Sequence, residues 1–405
     1  MTLTSKLVAM ALSLAALQVG FAAEDELTES EVAQSCTTPC APAPCPPQPC
    51  KPPCPPVCFE RGYPNDKSCF PPAYNEPASY HLAPCSWDYW FDASFTYWDA
   101  EQEGLDLAVA TTELSDQLSP VNGKFLFQKN GFKPGFKLGL GMDLDHDDWS
   151  AFAEYTWFRS TTHTNQSAPA DARGGTPVWA LSNWFITLSD VAAAATNLSS
   201  TWHLNMDLVD AGITRPFYQG THLIFAPFGG VRGQWIRQNL SIAGSFFASE
   251  PVGGIGLTLT PEISAVSKNR SNSWAVGPLA GCLGKWLLGW GFRLEGDVGG
   301  AVMFTRYTKV THSETPSAEA GVPVSAHFGQ YNCVRAMNEM NFGLGWGTYL
   351  DCRNYHLDFL LSYDFQVYWN QNMMRQLVDS LESGTGHSPS NLYLQGLTVK
   401  AQFDF

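Results

Sequence analysis

The sequence predicts an all-β chain: a transmembrane antiparallel β-barrel of about ten strands, twelve being the alternative, behind a disordered N-terminal arm rich in cysteine and proline. Three observations predict it. Charged residues make up 15% of the 405 residues and aromatic residues 13%, with 35 glycines, yet mean hydropathy is only −0.13. Strands with one face in lipid and one in water average to such values, whereas a helical span needs about twenty apolar residues in a row and none follows the N-terminus. In YHLDFLLSYDFQVYW, from Tyr355, the residues Leu357, Phe359, Leu361, Tyr363, Phe365, Val367 and Trp369 alternate with His356, Asp358, Ser362, Asp364 and Gln366. At about 3.3 Å per residue that stretch runs to roughly 50 Å, long for a soluble sheet and suited to a tilted bilayer crossing. Long and short connections, finally, follow one another in strict succession, as barrels with turns on one side and loops on the other require.

The elements follow in order. MTLTSKLVAMALSLAALQVGFAAEDE reads as a secretory signal over 1–22: Lys6, an apolar run from Leu7 to Val19, then Gly20 and Ala22 placed for cleavage. Export leaves the thiols free to oxidise. Residues 23–84 read as a disordered periplasmic arm. In it, Cys36, Cys40, Cys45, Cys50, Cys54 and Cys58 are separated by three or four residues with proline between them. Proline favours an extended polyproline path, so neighbouring cysteines are held apart and disulfides to other chains are the favoured reading. An inert solvated linker and a metal site are the rivals, the second weakened by the absence of a CxxC pair and of histidine before His81. Eleven cysteines is an odd count, so at least one is free or bonded to another molecule. Cys69, Cys85 and Cys352 complete the cross-linking candidates. Cys85 and Cys352 belong on one rim, where they could also pair, while Cys333 is expected in an outer loop and Cys282 on a strand.

From residue 85 to 405 the period becomes two. SWDYWFDASFTYW sets Trp87, Tyr89, Phe91, Phe95 and Tyr97 against Asp88, Asp92, Ser94 and Thr96; GFKPGFKLGLGMDL follows, with Pro134 at a rim or bulge. WSAFAEYTWFR alternates less cleanly. WHLNMDLVDA places Trp202, Leu204, Met206 and Leu208 toward lipid and His203, Asn205 and Asp207 inward. LIFAPFGGVRGQWIRQ and WAVGPLAGCLGK are glycine-rich and hard to orient. FRLEGDVGGAVMF, EMNFGLGWGTYL, the stretch from Tyr355 and LTVKAQFDF complete ten. The count becomes twelve if LSIAGSFF and GIGLTLT form a further hairpin. Long connections are expected near 104–124, 160–200, 238–272, 308–336 and 370–393, and short ones near 143–148, 215–222, 286–290 and 351–354. Trp87, Trp98, Trp149, Trp202, Trp346 and Trp369 are expected in interfacial girdles.

Inward parity gives the pore-lining candidates: Asp88, Asp92, Lys133, Lys137, Glu154, His203, Asp207, Arg293, Glu295, Asp297, Glu339, His356, Asp358, Asp364 and Lys400. Charges inside a barrel need water or each other. Ten strands lie between eight, where side chains fill the interior, and the sixteen of wide channels. The favoured reading is a porin whose hydrated path lets small hydrophilic solutes and ions diffuse through, with a plugged barrel serving as an anchor or adhesin as the alternative. A net charge of −15 leaves no basic footprint for nucleic acid. No GxSxG elbow occurs, so no enzyme is expected. DLDHDDWSAFAE resembles a calcium loop, but Asp148 stands where glycine is needed, and it reads as a solvated acidic turn. No metal or cofactor is expected.

SWAVGPLAGCLGKWLLGWGF, MDLVDAG, GGVRGQWIRQ, LGWGTYLDC, SYDFQVYWNQN and GLTVKAQFDF resemble the Legionella-type major outer-membrane protein family, especially members in chlamydia-like bacteria. The likeness spans roughly 85–405, and Phe405 resembles the C-terminal signal of such barrels. The resemblance implies a pore-forming outer-membrane protein with lipid around it and no catalytic residues. By the same resemblance the cysteine tract implies disulfide-linked copies or other envelope proteins as partners.

Overall fold

The computed structural model describes residues 89–111, 123–144, 149–167, 178–181, 184–186, 192–251, 257–259, 263–317, 322–351, 354–384 and 389–405. The segments read as signal and arm, Trp87, Asp88 and all nine cysteines read as cross-linking candidates lie outside the described residues. Ten long strands form the barrel: β1 Tyr89–Gln102, β2 Lys133–Asp143, β3 Ser150–Ser167, β4 Ala192–Thr214, β5 Leu223–Pro251, β6 Ile263–Gly289, β7 Phe292–Pro316, β8 Tyr331–Leu350, β9 Tyr355–Asn372 and β10 Ser390–Asp404. Each pairs antiparallel with the next. β10 returns to β1 from Trp90↔Asp404 to Gln102↔Leu392, closing the cylinder. At its rim the Tyr89 amide donates to the Phe405 carbonyl at 3.0 Å, and the Phe405 amide to that of Tyr89 at 2.9 Å.

Ten strands rather than twelve is the observed number. LSIAGSFF extends β5, and the short strand Leu257–Leu259 pairs back onto β5 without entering the wall as a further hairpin. Several stretches expected as long outer loops are strand. β5 and β6 stay paired from Trp286↔Leu223 as far as Ile263↔Phe246, and β7 runs to Pro316. Polarity misled there because serine, threonine and asparagine on both faces signal the absence of lipid, while backbone pairing continues in water.

Alternation along the membrane-facing part follows the sequence reading. Phe91, Phe95, Leu138, Leu140, Val231, Val298, Val302, Phe342, Leu344, Leu361, Leu397 and Val399 point outward and are exposed. Asp92, Ser94, Thr96, Glu295, Asp358, Ser362, Asp364 and Thr398 are buried inside. On β5 the outward row runs from Leu223 to Trp235 before polar residues take over; twelve residue steps at about 3.3 Å, tilted near 45°, span roughly 30 Å of bilayer. Pro134 is exposed at the end of β2, one residue beyond the β2–β3 ladder, a rim position as expected.

β4 corrects the sequence reading. Trp202, Leu204, Met206 and Leu208 are all buried in the interior, whereas His203 is exposed and Asp207 half-buried on the exterior, where it pairs with Arg159 at 2.7 Å. Farther along the same strand, Val209 and Ile213 face outward. The strand changes its apolar face because it leaves a packed plug and enters the lipid belt. That plug contains Trp98, Phe158, Trp202, Met206, Tyr368 and Leu394 from the wall, with Leu105, Leu107, Trp184 and Phe185 from inserted connections. Trp98 and Trp202, both 0% exposed, are plug residues and not girdle residues. Trp346, 37% exposed, faces outward as expected. Trp149 and Trp369 are half-buried, with Arg215 5.7 Å over the Trp149 ring and Trp369 Nε1 donating to Asn338 at 2.8 Å.

The connection after β9, expected as a loop, contains a helix, α1 Met373–Ser383. Asn370 bends the chain inward at φ 57°. Asn372 caps α1 by accepting from the Arg375 amide at 3.2 Å, and Gly384 ends it at φ 68°. Met373, Met374, Leu377 and Val378 form its buried face. Arg375 lies 5.2 Å over the Trp184 ring and pairs with Asp379 at 2.9 Å. Trp184 Nε1 donates to the Asp106 carbonyl at 2.7 Å, and the Ile186 amide to Glu314, itself 2.8 Å from His312. Inserted segments and wall are thus joined by packing and by hydrogen bonds.

Candidate functional site

Beneath the plug, at the height of the lipid-facing belt, the interior holds a polar chamber of about 250 Å³. Period-two strands put one side chain in two into it, and ten strands bring residues far apart in sequence together. Seven carboxylates line it: Asp92, Glu154, Asp210, Glu295, Asp297, Glu339 and Asp364. Lys137, Arg232 and Lys400 are its cations, four fewer than the acids. Gly139 makes room for one of the acids, since a Cβ there would overlap Asp92 Oδ2.

The charges form discrete groups. Arg232 forks between Asp210, at 2.6 Å from both Nε and Nη2, and Glu339, at 2.7 and 2.9 Å. This bidentate geometry matches a guanidinium to two carboxylates. Lys137 stands 3.5 Å from Glu154, and Lys400 stands 3.8 Å from Asp92. Toward the short-turn end Arg293 bonds Glu295 at 2.7 Å and Asp358 at 2.5 and 2.8 Å, and His356 meets Asp404 at 2.9 Å. Toward the plug, Trp98 Nε1 donates to Thr398 at 3.1 Å, whose hydroxyl donates to Asp364 at 2.6 Å. Oδ1 of Asp92, Asp297 and Asn341 are buried with no hydrogen-bond partner among the described residues. Buried oxygens of this kind are ordinarily satisfied by solvent or an ion.

Of the residues expected in the lumen, Asp92, Lys137, Glu154, Glu295, Asp297, Glu339, Asp364 and Lys400 come together in the chamber. Arg293, Asp358 and His356 are buried in the groups adjoining it. Lys133 keeps inward parity at the far end of β2, opposite Trp98, away from the chamber. His203 and Asp207 are on the outer surface, His203 bonding Thr161 at 2.8 Å. Asp210 and Arg232 were missed. Asp210 follows the face change in β4, and Arg232 sits in GGVRGQ, where glycines on both faces hide the alternation.

A family model described as Legionella pneumophila major outer membrane protein precursor matches residues 82–405. No curated protein matches the chain. Among solved structures, the outer membrane protease OmpT from Escherichia coli covers 80% of this chain and 98% of its own at 13% identity and a TM-score of 0.35. A Pseudomonas aeruginosa FadL homologue covers 78% and 89% at 9% identity and a TM-score of 0.26. A major outer membrane protein from Thermus thermophilus covers 77% and 99% at 11% identity and a TM-score of 0.24. With four-fifths of its length matched, and with a closed barrel carrying a lipid belt, the chain belongs to the Legionella pneumophila major outer membrane protein family and resides in the bacterial outer membrane.

Proposed function

We propose that this protein is a narrow, cation-preferring outer-membrane pore for small hydrophilic solutes and ions, closed on its outer side by the apolar plug in the conformation described. The excess of carboxylates in the membrane-level chamber carries this reading. Negative charge confined by low-dielectric walls concentrates cations and repels anions. Passage then requires displacement of α1 and the inserted segments. The test is planar-bilayer recording of refolded protein. Small, intermittent steps with cation-shifted reversal potentials are expected, and Asp297→Asn with Asp364→Asn should reduce the cation preference. A flat zero-current trace over the full voltage range would sink the pore.

A second reading, a permanently plugged envelope anchor, draws on the fully buried Trp98, Trp184 and Trp202 across the lumen. It expects that flat trace. Neither reading gives the protein a catalytic role. We further propose that residues 1–22 are a cleaved signal and 23–84 a periplasmic arm. Its cysteines, with Cys85 and Cys352, would form disulfides to copies of this chain or to other envelope proteins.

A further inference from the structure

Above the lipid belt the exterior of β3–β7 is basic, although the chain carries 38 acidic against 23 basic residues. The register fixes the level. Trp157, Asp207, Trp235, Trp274 and Arg306 form one outward row across the five strands. The next row is Arg159, Asn205, Arg237, Asn272 and Lys309, and above it stand Arg270 and Lys268 on β6. Tryptophan marks the membrane interface, so the cations stand where headgroups begin. In these rows Asp207 is the one acid among the described residues, and Arg159 already takes it. Arg237, Lys268, Arg270 and Lys309 are exposed. Arg270 donates to Asn239 at 2.6 Å, while no ion pair forms between any of these four and a described residue.

Arg237 and Lys309 flank Asn272 on either side, and Arg270 lies two residues farther along the same strand. Diagonal neighbours in a sheet are about 7–8 Å apart, so three like charges surround a space that an anion of phosphate size can bridge. Like charges so placed repel, and among the described residues none supplies a counter-charge to these four cations on this face. With termini and short turns on the periplasmic side, as in bacterial outer-membrane barrels, this patch meets the outer leaflet. From this charge complementarity we infer that Arg237, Arg270 and Lys309 form a docking surface for a phosphorylated glycolipid headgroup of the outer leaflet, with Trp235 and Trp274 against its acyl chains. It is separate from the lumen and holds whether or not the barrel conducts.

The experiment uses the full chain refolded into phosphatidylcholine nanodiscs with and without bisphosphorylated lipid A, with retained lipid read by native mass spectrometry. Lipid A should be retained and its enzymatically dephosphorylated form should not. The triple variant Arg237→Ala, Arg270→Ala, Lys309→Ala should bind on the order of a hundredfold more weakly. Arg237→Lys with Arg270→Lys should keep most of the binding. Equal retention of the dephosphorylated lipid by the unaltered protein, undiminished binding by a triple variant that still migrates as a folded barrel, or displacement by inorganic phosphate as effective as by the lipid would each overturn the assignment.

Discussion

Arg232 shows at a single position what the chamber demands. The residue is 3% exposed, and its guanidinium holds two carboxylates on different strands. Removing it strands Asp210 and Glu339 as uncompensated charges beneath the plug. Arg232→Met is expected to cost about 3–5 kcal/mol, the usual penalty for breaking a buried ion pair from one side. Adding Asp210→Leu and Glu339→Leu should return most of that loss, because an apolar triad leaves no orphaned charge. Urea unfolding in lipid vesicles measures both, and an Arg232→Met midpoint equal to the unaltered protein's would show that the fork carries no stability. Arg293, between Glu295 and Asp358, follows the same logic nearer the short-turn end. Glu295, Glu339 and Asp358 could be found by parity from the sequence. Asp210 could not, because it lies beyond the face change in β4, nor could Arg232, because alternation is undefined where Gly229, Gly230 and Gly233 occupy both faces.

Among the elements, β4 separates what alternation reveals from what it conceals. Trp202 to Leu208 alternate as cleanly as Phe359 to Phe365, yet the first set faces the plug and the second faces lipid. Period two reports that one side of a strand is apolar, and it does not say whether lipid or a protein core lies there. Strands near both termini stand mostly at membrane height, so their apolar face is the outer one and their parity was readable. β4 passes from plug to lipid, and the inserted helix that helps make the plug apolar was hidden in a connection read as loop. A direct check uses brominated lipids, which quench fluorescence on contact. Trp346→Phe should lower the quenchable fraction of the emission, and Trp202→Phe should leave it unchanged. A drop with Trp202→Phe would return that residue to the lipid surface.

For the molecule as a whole, the wall is uneven in height. β2 has 11 residues and β5 has 29, so one side ends near the outer interface while the other rises well above it. The high side carries the basic rows, and the inserted segments fill the mouth between the two sides. Closure, strand count and the lipid belt were legible because they depend on summed alternation and connection order, which survive local misreadings. The inserted segments were not, since they obey the packing rules of a soluble core. The cysteine arm belongs to this scale too, because a rod of roughly 75 Å from Gln34 to Cys58 at about 3.1 Å per residue would reach beyond one barrel. Non-reducing gels of native envelopes are expected to show high-mass species that collapse with reductant. Unchanged mobility with and without reductant would refute the cross-linking proposal.

The seam between β1 and β10 joins residues near 90 to residues near 400. No cylinder exists until the last strand has left the ribosome and crossed the inner membrane. Until then the nine preceding strands have to be held with both outer edges bare, each a template for misassociation with any other unfinished sheet. A chain built on this plan depends on escort factors that shield those edges, and the rate of its final step is set by how fast two ends some three hundred residues apart are brought together.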